Sequence, residues 1–291
     1  MRITVVGDGK WGTALGSLLT HNKIKFDFWK IGEDLPSNST FIMCIPTQAI
    51  REVLEKNRKV KNITYINAAK GIEQGSHKFP HEIAREILGK NIDYFTLIGP
   101  SFADEVVDEM PTIVNVGFTN KMNVEVVRSL FETDYFRVKL AMGVEILELA
   151  SAFKNIYAIA CGIATGLGFE ANTRAKLIVL AMSEFNKLAR KMSLSISDEV
   201  LPGVVGDLIL TCNSEESRNF SFGELLVKND AETALAMIGQ TVEGYFTVES
   251  VPHFEKKTGV DLPLARFVYD TIKNDDPSSV KKSFQNFVKQ A

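Results

Sequence analysis

The chain has few of the residues that build disulfide frameworks or metal sites. Only three cysteines occur among its 291 residues, and Cys44, Cys161 and Cys212 are far apart, each in an apolar setting. An odd number of cysteines with no CxxC spacing excludes a disulfide framework or a zinc site as the organising feature. We therefore expect buried free thiols in a reducing compartment.

Histidine is equally scarce, with four residues in the chain. His77 and His81 lie four residues apart, but Pro80 stands between them and no apolar helix face accompanies them. Metal-binding histidines at this spacing need a regular helix, so we expect no metal.

The sequence also lacks an excess of one charge. Thirty-three basic and 36 acidic residues give a net charge of -3, which speaks against nucleic acid or an anionic membrane as the main partner. The N-terminus opens directly into a strand-like run rather than a signal peptide, and a cytoplasmic location follows. The length of the chain predicts two domains.

The first motif is a glycine-rich turn between a predicted strand and a predicted helix. Residues 2–6 are rich in β-branched side chains, and Gly7, Gly9 and Gly12 follow in a G-x-G-x-x-G pattern. The first glycine permits a tight turn, the second admits a pyrophosphate, and the third lets helix and strand pack closely. A dinucleotide would then rest on the N-terminus of the helix.

The second predicted strand, residues 25–29, does not end in the acid that a strict NAD site places there. Trp29 and Lys30 stand at its end, Asp27 lies inside it, and Glu33 comes later. Lys30 could receive the 2′-phosphate of NADP. The choice between NAD and NADP is therefore left open.

Strand and helix patterns alternate up to about Met142. Strands are predicted at 41–45, 63–67, 94–98, 111–116 and 135–138, and helices at 47–57 and 80–88. Helical patterns then dominate, at 143–167, 171–192, 222–239, 247–258 and 263–273, with a loop region after 192. The fold class is α/β: a Rossmann-like, doubly wound sheet over residues 1–142, followed by an all-helical domain over 143–291.

The apolar stretch from Gly143 to Phe169 contains one formal charge after Leu149, that of Lys154. A membrane span has this length, but Lys154, Asn155 and four glycines count against it. A core helix whose lysine reaches the surface is a second interpretation. The third is a central helix that presents Lys154 and Asn155 to a substrate.

A polar cluster follows in the second predicted domain. Gly206 and Asp207 precede Ser217, Arg218 and Asn219, and an arginine beside an amide suits a phosphate. Taken alone, these residues are equally compatible with an ordinary loop and helix cap.

In combination, the motifs resemble the NAD(P)-dependent sn-glycerol-3-phosphate dehydrogenases of bacteria. The segments that carry the resemblance are spread over nearly the whole chain: Gly7–Gly12, Lys70–Ile72, Gly99–Ala103, Phe153–Asn155, Arg174–Ala175, Gly206–Leu208, Thr211–Cys212, Ser217–Asn219 and Val242–Gly244. The family reduces dihydroxyacetone phosphate reversibly to sn-glycerol 3-phosphate, which supplies glycerophospholipid synthesis in the cytoplasm. The resemblance also implies a small-molecule substrate and, by analogy, a homodimer.

The resemblance implies a role for each matching residue. Lys154 would be the catalytic acid/base, and Thr211 would support the geometry of Lys154 and Asp207. The substrate contacts would be Lys70, Gly99, Ser101, Lys154, Asp207, Ser217, Arg218 and Asn219. The cofactor contacts would be Lys10, Trp11, Ala103, Arg218 and Glu243, beside Gly7, Gly9, Gly12, Lys30 and Lys70.

Physical chemistry agrees with these roles. Reduction of a ketone needs a hydride, which a nicotinamide supplies, and a proton from a positioned acid. The apolar helix and the ammonium of Lys70 would both favour release of a proton from Lys154. Lys70 could also polarise the carbonyl, and Asp207 could orient Lys154.

Two departures from the family pattern are visible. The chain is short between the second strand and Phe41, so the adenosine pocket is the least transferable part, and Val205 replaces the usual leucine before Gly206. Two alternatives are kept: a related two-domain dehydrogenase of β-hydroxyacids or sugar acids, and a nucleotide-sensing protein without catalysis. The cluster of Asp207, Ser217, Arg218 and Asn219 discriminates against the first.

Overall fold

The computed structural model describes residues 2–290, which form two compact units. Unit 1 contains residues 2–70, 78–148 and 197–203, and unit 2 contains residues 71–77, 149–196 and 204–290.

Unit 1 is built on one sheet of seven strands in the order β2-β1-β3-β4-β5-β6-β7. Every neighbouring pair is parallel except β5 and β6, which are antiparallel. The third strand forms two residues earlier than the sequence predicted. The strands are β1 (Arg2–Val6), β2 (Asp27–Trp29), β3 (Ser39–Met43), β4 (Thr64–Asn67), β5 (Asp93–Ile98), β6 (Thr112–Phe118) and β7 (Phe136–Met142).

Helices cover both faces of this sheet, as the doubly wound prediction requires. Val5 and Ile42 pack in one apolar cluster, whereas Val6, Phe41 and Met43 pack in another. Successive strand residues point to opposite faces, so strands buried on both faces read as continuous apolar runs. The helices are α1 (Lys10–His21), α2 (Thr47–Lys56), α3 (Pro80–Leu88), α4 (Ala103–Val107) and α5 (Val124–Phe131).

Unit 2 is helical, and none of its described residues lies in a strand. The first residues of α6 belong to unit 1, and the rest of that helix belongs to unit 2. The helices are α6 (Val144–Gly166), α7 (Ala171–Lys191), α8 (Asp207–Asn213), α9 (Arg218–Leu225), α10 (Ala231–Ile238), α11 (Glu243–Thr247), α12 (Val251–Thr258), α13 (Pro263–Asn274) and α14 (Pro277–Gln290).

Two predictions about this unit were wrong in detail. The expected loop after residue 192 contains α8, which follows an irregular turn at Pro202–Gly206. The single helix expected at 222–239 is two helices, because Asp230 starts a new one by accepting a hydrogen bond from the backbone N–H of Thr233 at 2.7 Å. Aspartate is a strong N-cap, and this cap overrides the continuous apolar pattern.

Helix α6 is a core helix. Within residues 2–290 it is the one helix long and apolar enough to cross a membrane, and every residue from 146 to 164 is buried in the protein. A buried core helix meets the same criterion of length and composition. The burial of α6 supports the core helix rather than the membrane span.

Glycines explain how closely α6 and α9 approach each other. A Cβ atom on Gly162 would lie 1.9 Å from the carbonyl oxygen of Phe220, and one on Gly223 would lie 2.1 Å from that of Ile159. Any side chain at either position would push the two backbones apart. Gly162, one of the four glycines that weakened the membrane interpretation, therefore serves helix packing within unit 2.

A buried carboxylate holds the N-terminus of α13. Glu184 on α7 accepts hydrogen bonds from the backbone N–H groups of Leu264 and Ala265, the second at 3.3 Å. Burial raises the pKa of Glu184 from 4.5 to about 7, although the two N–H groups act in the opposite direction.

We predict that Glu184 makes the stability of unit 2 dependent on pH. Because its pKa is raised on folding, its contribution is fully present below pH 4.5 and is lost as the pH rises through about 7. Glu184→Gln has no such group. As the pH rises over this range, its free energy of unfolding should therefore increase by up to about 3 kcal/mol relative to that of the wild type. Denaturant titrations at several pH values measure the difference. The exposed Glu232→Gln should show none, and parallel curves for Glu184→Gln and wild type would contradict the prediction.

Candidate active site

The glycine-rich turn of unit 1 has the strand–turn–helix context that the sequence predicted. Gly7 ends β1 with φ +109°, and a Cβ atom on Gly12 would lie 1.9 Å from the carbonyl oxygen of Gly7. Gly9 precedes α1 without any side-chain cap, and a Cβ atom there would meet open space. The first N–H groups of α1 are thus exposed beside a space that a phosphate group could fill.

Other groups at this turn fit a dinucleotide. The buried indole nitrogen of Trp11 has no hydrogen-bond partner in the described part of the chain. A buried donor without an acceptor is unfavourable, and a bound ligand would satisfy it. The ammonium of Lys10 lies 2.7 Å from the carboxylate of Asp104, in an exposed ion pair.

The end of β2 carries charges of both signs. Residues 30–38 join β2 to β3 without a helix. The chain turns back at Glu33 toward the end of β2. The backbone carbonyl of Glu33 accepts a hydrogen bond from the Trp29 indole at 2.8 Å. Its carboxylate lies 3.4 Å from the backbone nitrogen of Lys30. Glu33 therefore lies close to the end of β2, which its position in the sequence did not reveal.

The ends of β4 and β5 bring three predicted substrate residues together. The ammonium of Lys70 donates a hydrogen bond of 3.0 Å to the carbonyl oxygen of Gly99, and the hydroxyl of Ser101 donates to the same oxygen at 3.0 Å. Ser101 does not cap α4, whose N-cap is Phe102, and Ala103 begins that helix. These residues lie at the carboxyl ends of parallel strands, where open α/β sheets bind ligands.

Unit 2 contains a buried ion pair at Lys154. The ammonium of Lys154 lies 2.7 Å from the Asp207 carboxylate and 2.7 Å from the Thr211 hydroxyl. Lys154 is 7% exposed and Asp207 is 2% exposed. The interpretation in which this lysine reaches the surface is therefore wrong.

The geometry of α8 explains this arrangement. Asp207 and Thr211 are four residues apart, so they share one face of the helix. The Thr211 hydroxyl also donates to the backbone carbonyl of Asp207 at 2.6 Å. Its oxygen is thereby fixed as an acceptor toward Lys154, and a buried ammonium with two oxygen partners is held in one orientation.

Asn219 connects three segments of unit 2. Its amide nitrogen donates to the side-chain oxygen of Asn155 at 3.0 Å, and its oxygen accepts from the backbone N–H of Gly244 at 2.8 Å. Asn155 follows Lys154 directly in α6, and Gly244 follows Glu243 at the start of α11. Both ends of the Asn219 amide are thus engaged within the protein.

The remaining predicted phosphate contacts differ in environment. Ser217 is buried, and its hydroxyl caps α9 by accepting from the backbone N–H of Phe220 at 3.3 Å. Arg218 is the first residue of α9 and is exposed, so its guanidinium is accessible to a ligand. The cap that the sequence treated as an alternative is therefore present beside this arginine.

Comparison with known proteins agrees with these features. The family described as NAD-dependent glycerol-3-phosphate dehydrogenase matches residues 33–124 with its N-terminal model and residues 143–282 with its C-terminal model. The glycerol-3-phosphate dehydrogenase [NAD(P)+] of Bacillus cereus is 33% identical over 312 residues, covering 94% of this chain and 92% of the relative. That of Staphylococcus saprophyticus is 30% identical, covering 95% of each.

A solved structure extends the similarity to three dimensions. The crystal structure of glycerol-3-phosphate dehydrogenase from Coxiella burnetii matches with a TM-score of 0.88 and 26% identity, over 99% of this chain and 98% of that one. Both family models and relatives above 30% identity agree, and the chain belongs to the NAD-dependent glycerol-3-phosphate dehydrogenase family.

Proposed function

We propose that the protein reduces dihydroxyacetone phosphate reversibly to sn-glycerol 3-phosphate, with NADH or NADPH as the hydride donor, and that the product enters glycerophospholipid synthesis. Beyond membership of the family, the observation that carries this proposal is the buried cluster of Lys154, Asp207 and Thr211. A buried ammonium held by two oxygens is the acid that reduction of a ketone requires.

The acid role of Lys154 follows from the chemistry of the carbonyl. When bound, the nicotinamide supplies a hydride to the carbonyl carbon of the substrate. Lys154 gives a proton to the carbonyl oxygen and takes it back in the reverse reaction. Two of its three N–H bonds point to Asp207 and Thr211, and this fixes the direction of the third.

The other proposed roles follow the position of each residue. Lys70, beside Gly99 and Ser101, polarises the carbonyl and contacts the substrate, and Arg218 takes the phosphate with help from Ser217 and Asn219. The proposed cofactor residues are Gly7, Gly9, Lys10, Trp11, Gly12, Lys30, Lys70, Ala103, Arg218 and Glu243.

The domain assignment is part of the same proposal. Residues 1–142 would bind the dinucleotide, and residues 143–291 would bind the substrate. The division into two units supports a boundary in this region, although residues 71–77 and 197–203 each group with the other unit. We also propose a homodimer and a cytoplasmic location, and the three free cysteines are consistent with a reducing compartment.

The direct test is an assay with dihydroxyacetone phosphate and either NADH or NADPH, followed by the absorbance of the reduced nicotinamide. Turnover with one or both cofactors is expected, and the ratio of kcat/KM gives the cofactor preference. A lack of turnover with both would overturn the proposed function. Turnover of a β-hydroxyacid in the presence of oxidised cofactor would favour the alternative dehydrogenase.

We predict that Lys154→Gln lowers kcat by about a hundredfold or more, the usual contribution of a positioned acid. Glutamine can still donate a hydrogen bond to Asp207, but the buried carboxylate loses its counter-charge, so the melting temperature should fall. The kcat is therefore measured well below that temperature, on protein that circular dichroism shows to be folded. Lys282→Gln, at an exposed lysine of α14, serves as the control. A wild-type kcat in Lys154→Gln would end the acid role.

We predict that Arg218→Ala raises KM for dihydroxyacetone phosphate by about ten- to a hundredfold, because a charge-assisted hydrogen bond to phosphate is lost. Unphosphorylated dihydroxyacetone lacks this contact, so its kcat/KM, measured at saturating cofactor, should be unchanged. The exposed Arg190→Ala is the matched control. An equal loss with both substrates would contradict a phosphate role for Arg218.

A further inference from the structure

Asn67 is a fully buried polar residue at the end of β4, three residues before Lys70. Residues 68–70 have no regular secondary structure, although this segment carries a lysine whose position matters for the proposed chemistry. Something other than a strand ladder must therefore fix the backbone there.

The side chain of Asn67 holds the residue before Lys70 at two points. Its oxygen accepts a hydrogen bond from the backbone N–H of Ala69 at 3.1 Å, and its nitrogen donates to the backbone carbonyl of Ala69 at 3.0 Å. Asparagine carries a donor and an acceptor on one short stem, so it can close both bonds at once. The backbone that leads into Lys70 is thereby fixed.

A buried carboxylate determines which way the Asn67 amide faces. The amide nitrogen also donates to Glu148 at 3.2 Å and to the Thr96 hydroxyl at 3.3 Å. If the amide were flipped, its oxygen would face both the Glu148 carboxylate and the Ala69 carbonyl. Acceptors would then oppose acceptors, so only the observed orientation is stable.

Glu148 is itself held firmly. It is 1% exposed and accepts from the Tyr94 hydroxyl at 2.5 Å and from the backbone N–H of His81 at 3.1 Å. The His81 ring nitrogen Nδ1 lies 2.8 Å from the same carboxylate. Burial alone would lower the pKa of His81, but the charge and hydrogen bond of Glu148 raise it above its ordinary value. These hydrogen bonds hold the Glu148 side chain in place beside Asn67.

We propose that Asn67, oriented by Glu148, is a positioning residue that sets the place of Lys70 during catalysis. Asn67 acts through the Ala69 backbone, and Lys70 then reaches the Gly99 carbonyl at the neighbouring strand end. This inference rests on the proposed function, because it assumes that Lys70 contacts the substrate.

A double-mutant cycle tests this inference in the full-length protein. Asn67→Ala should lower kcat/KM for dihydroxyacetone phosphate by about a hundredfold, since a shift of about 1 Å in a reacting group has that effect. In the Lys70→Ala background the same substitution should have almost no further effect, because its target is absent. Asn67→Ser, which can still accept from the Ala69 N–H, should recover part of the loss.

Asn57→Ala is the matched control in unit 1. Asn57 is also buried, accepts from the Leu35 N–H at 2.6 Å and donates to the Val53 carbonyl at 2.8 Å, so its loss is a comparable structural change. It should leave kcat/KM near wild type in both backgrounds. Melting temperatures of all variants distinguish a loss of folding from a displacement of Lys70.

A second measurement does not depend on turnover. The 13C resonance of reductively methylated Lys70, assigned by its absence in Lys70→Arg, should shift in Asn67→Ser and stay in place in Asn57→Ala. An unshifted resonance would overturn the proposal, as would equal losses from Asn67→Ala in both Lys70 backgrounds. If the wild type fails to reduce dihydroxyacetone phosphate, the proposed function fails instead, and the resonance still decides whether Asn67 positions Lys70.

Discussion

The ion pair between Lys154 and Asp207 is the constraint on which unit 2 depends. An ammonium and a carboxylate removed from water lose several kcal/mol of hydration each, and their attraction offsets this loss only in good geometry with further hydrogen bonds. Thr211 supplies one such bond. A buried pair of apolar residues would stabilise the core equally well, so stability alone does not account for the charged pair.

The position of this pair depends in turn on helix packing. Gly162 and Gly223 let α6 and α9 touch through their backbones, and the N-terminus of α9 then lies where Asn219 can reach Asn155. Asn155 follows Lys154 directly on α6, so the same packing fixes the polar residue beside the lysine. The packing of α6 against α9 therefore also determines where the polar residues beside Lys154 lie.

The sequence was sufficient for the overall architecture and for the contact between Lys154 and Asp207. The β-branched run before Gly7 and the single charge after Leu149 in α6 are local patterns, and each led to the correct element. The antiparallel β6 and the split at Asp230 were missed, because strand direction and a competing cap depend on tertiary contacts. The turn that returns Glu33 to the end of β2 is likewise set by contacts that no periodicity shows.

The hydrogen bonds of the buried asparagines were the feature that the sequence predicted least well. Asn67, Asn115 and Asn219 each accept from one backbone N–H and donate to neighbouring oxygens, so each ties together segments that no ladder joins. In a sequence, asparagine reads as a turn or cap residue, because its local hydrogen bonds compete with helix and sheet. Aspartate has a similar shape but has lost the donor end, and beside Glu148 it would add a second buried negative charge. The amide is therefore the side chain that can fix the backbone before Lys70 without changing the charge around it.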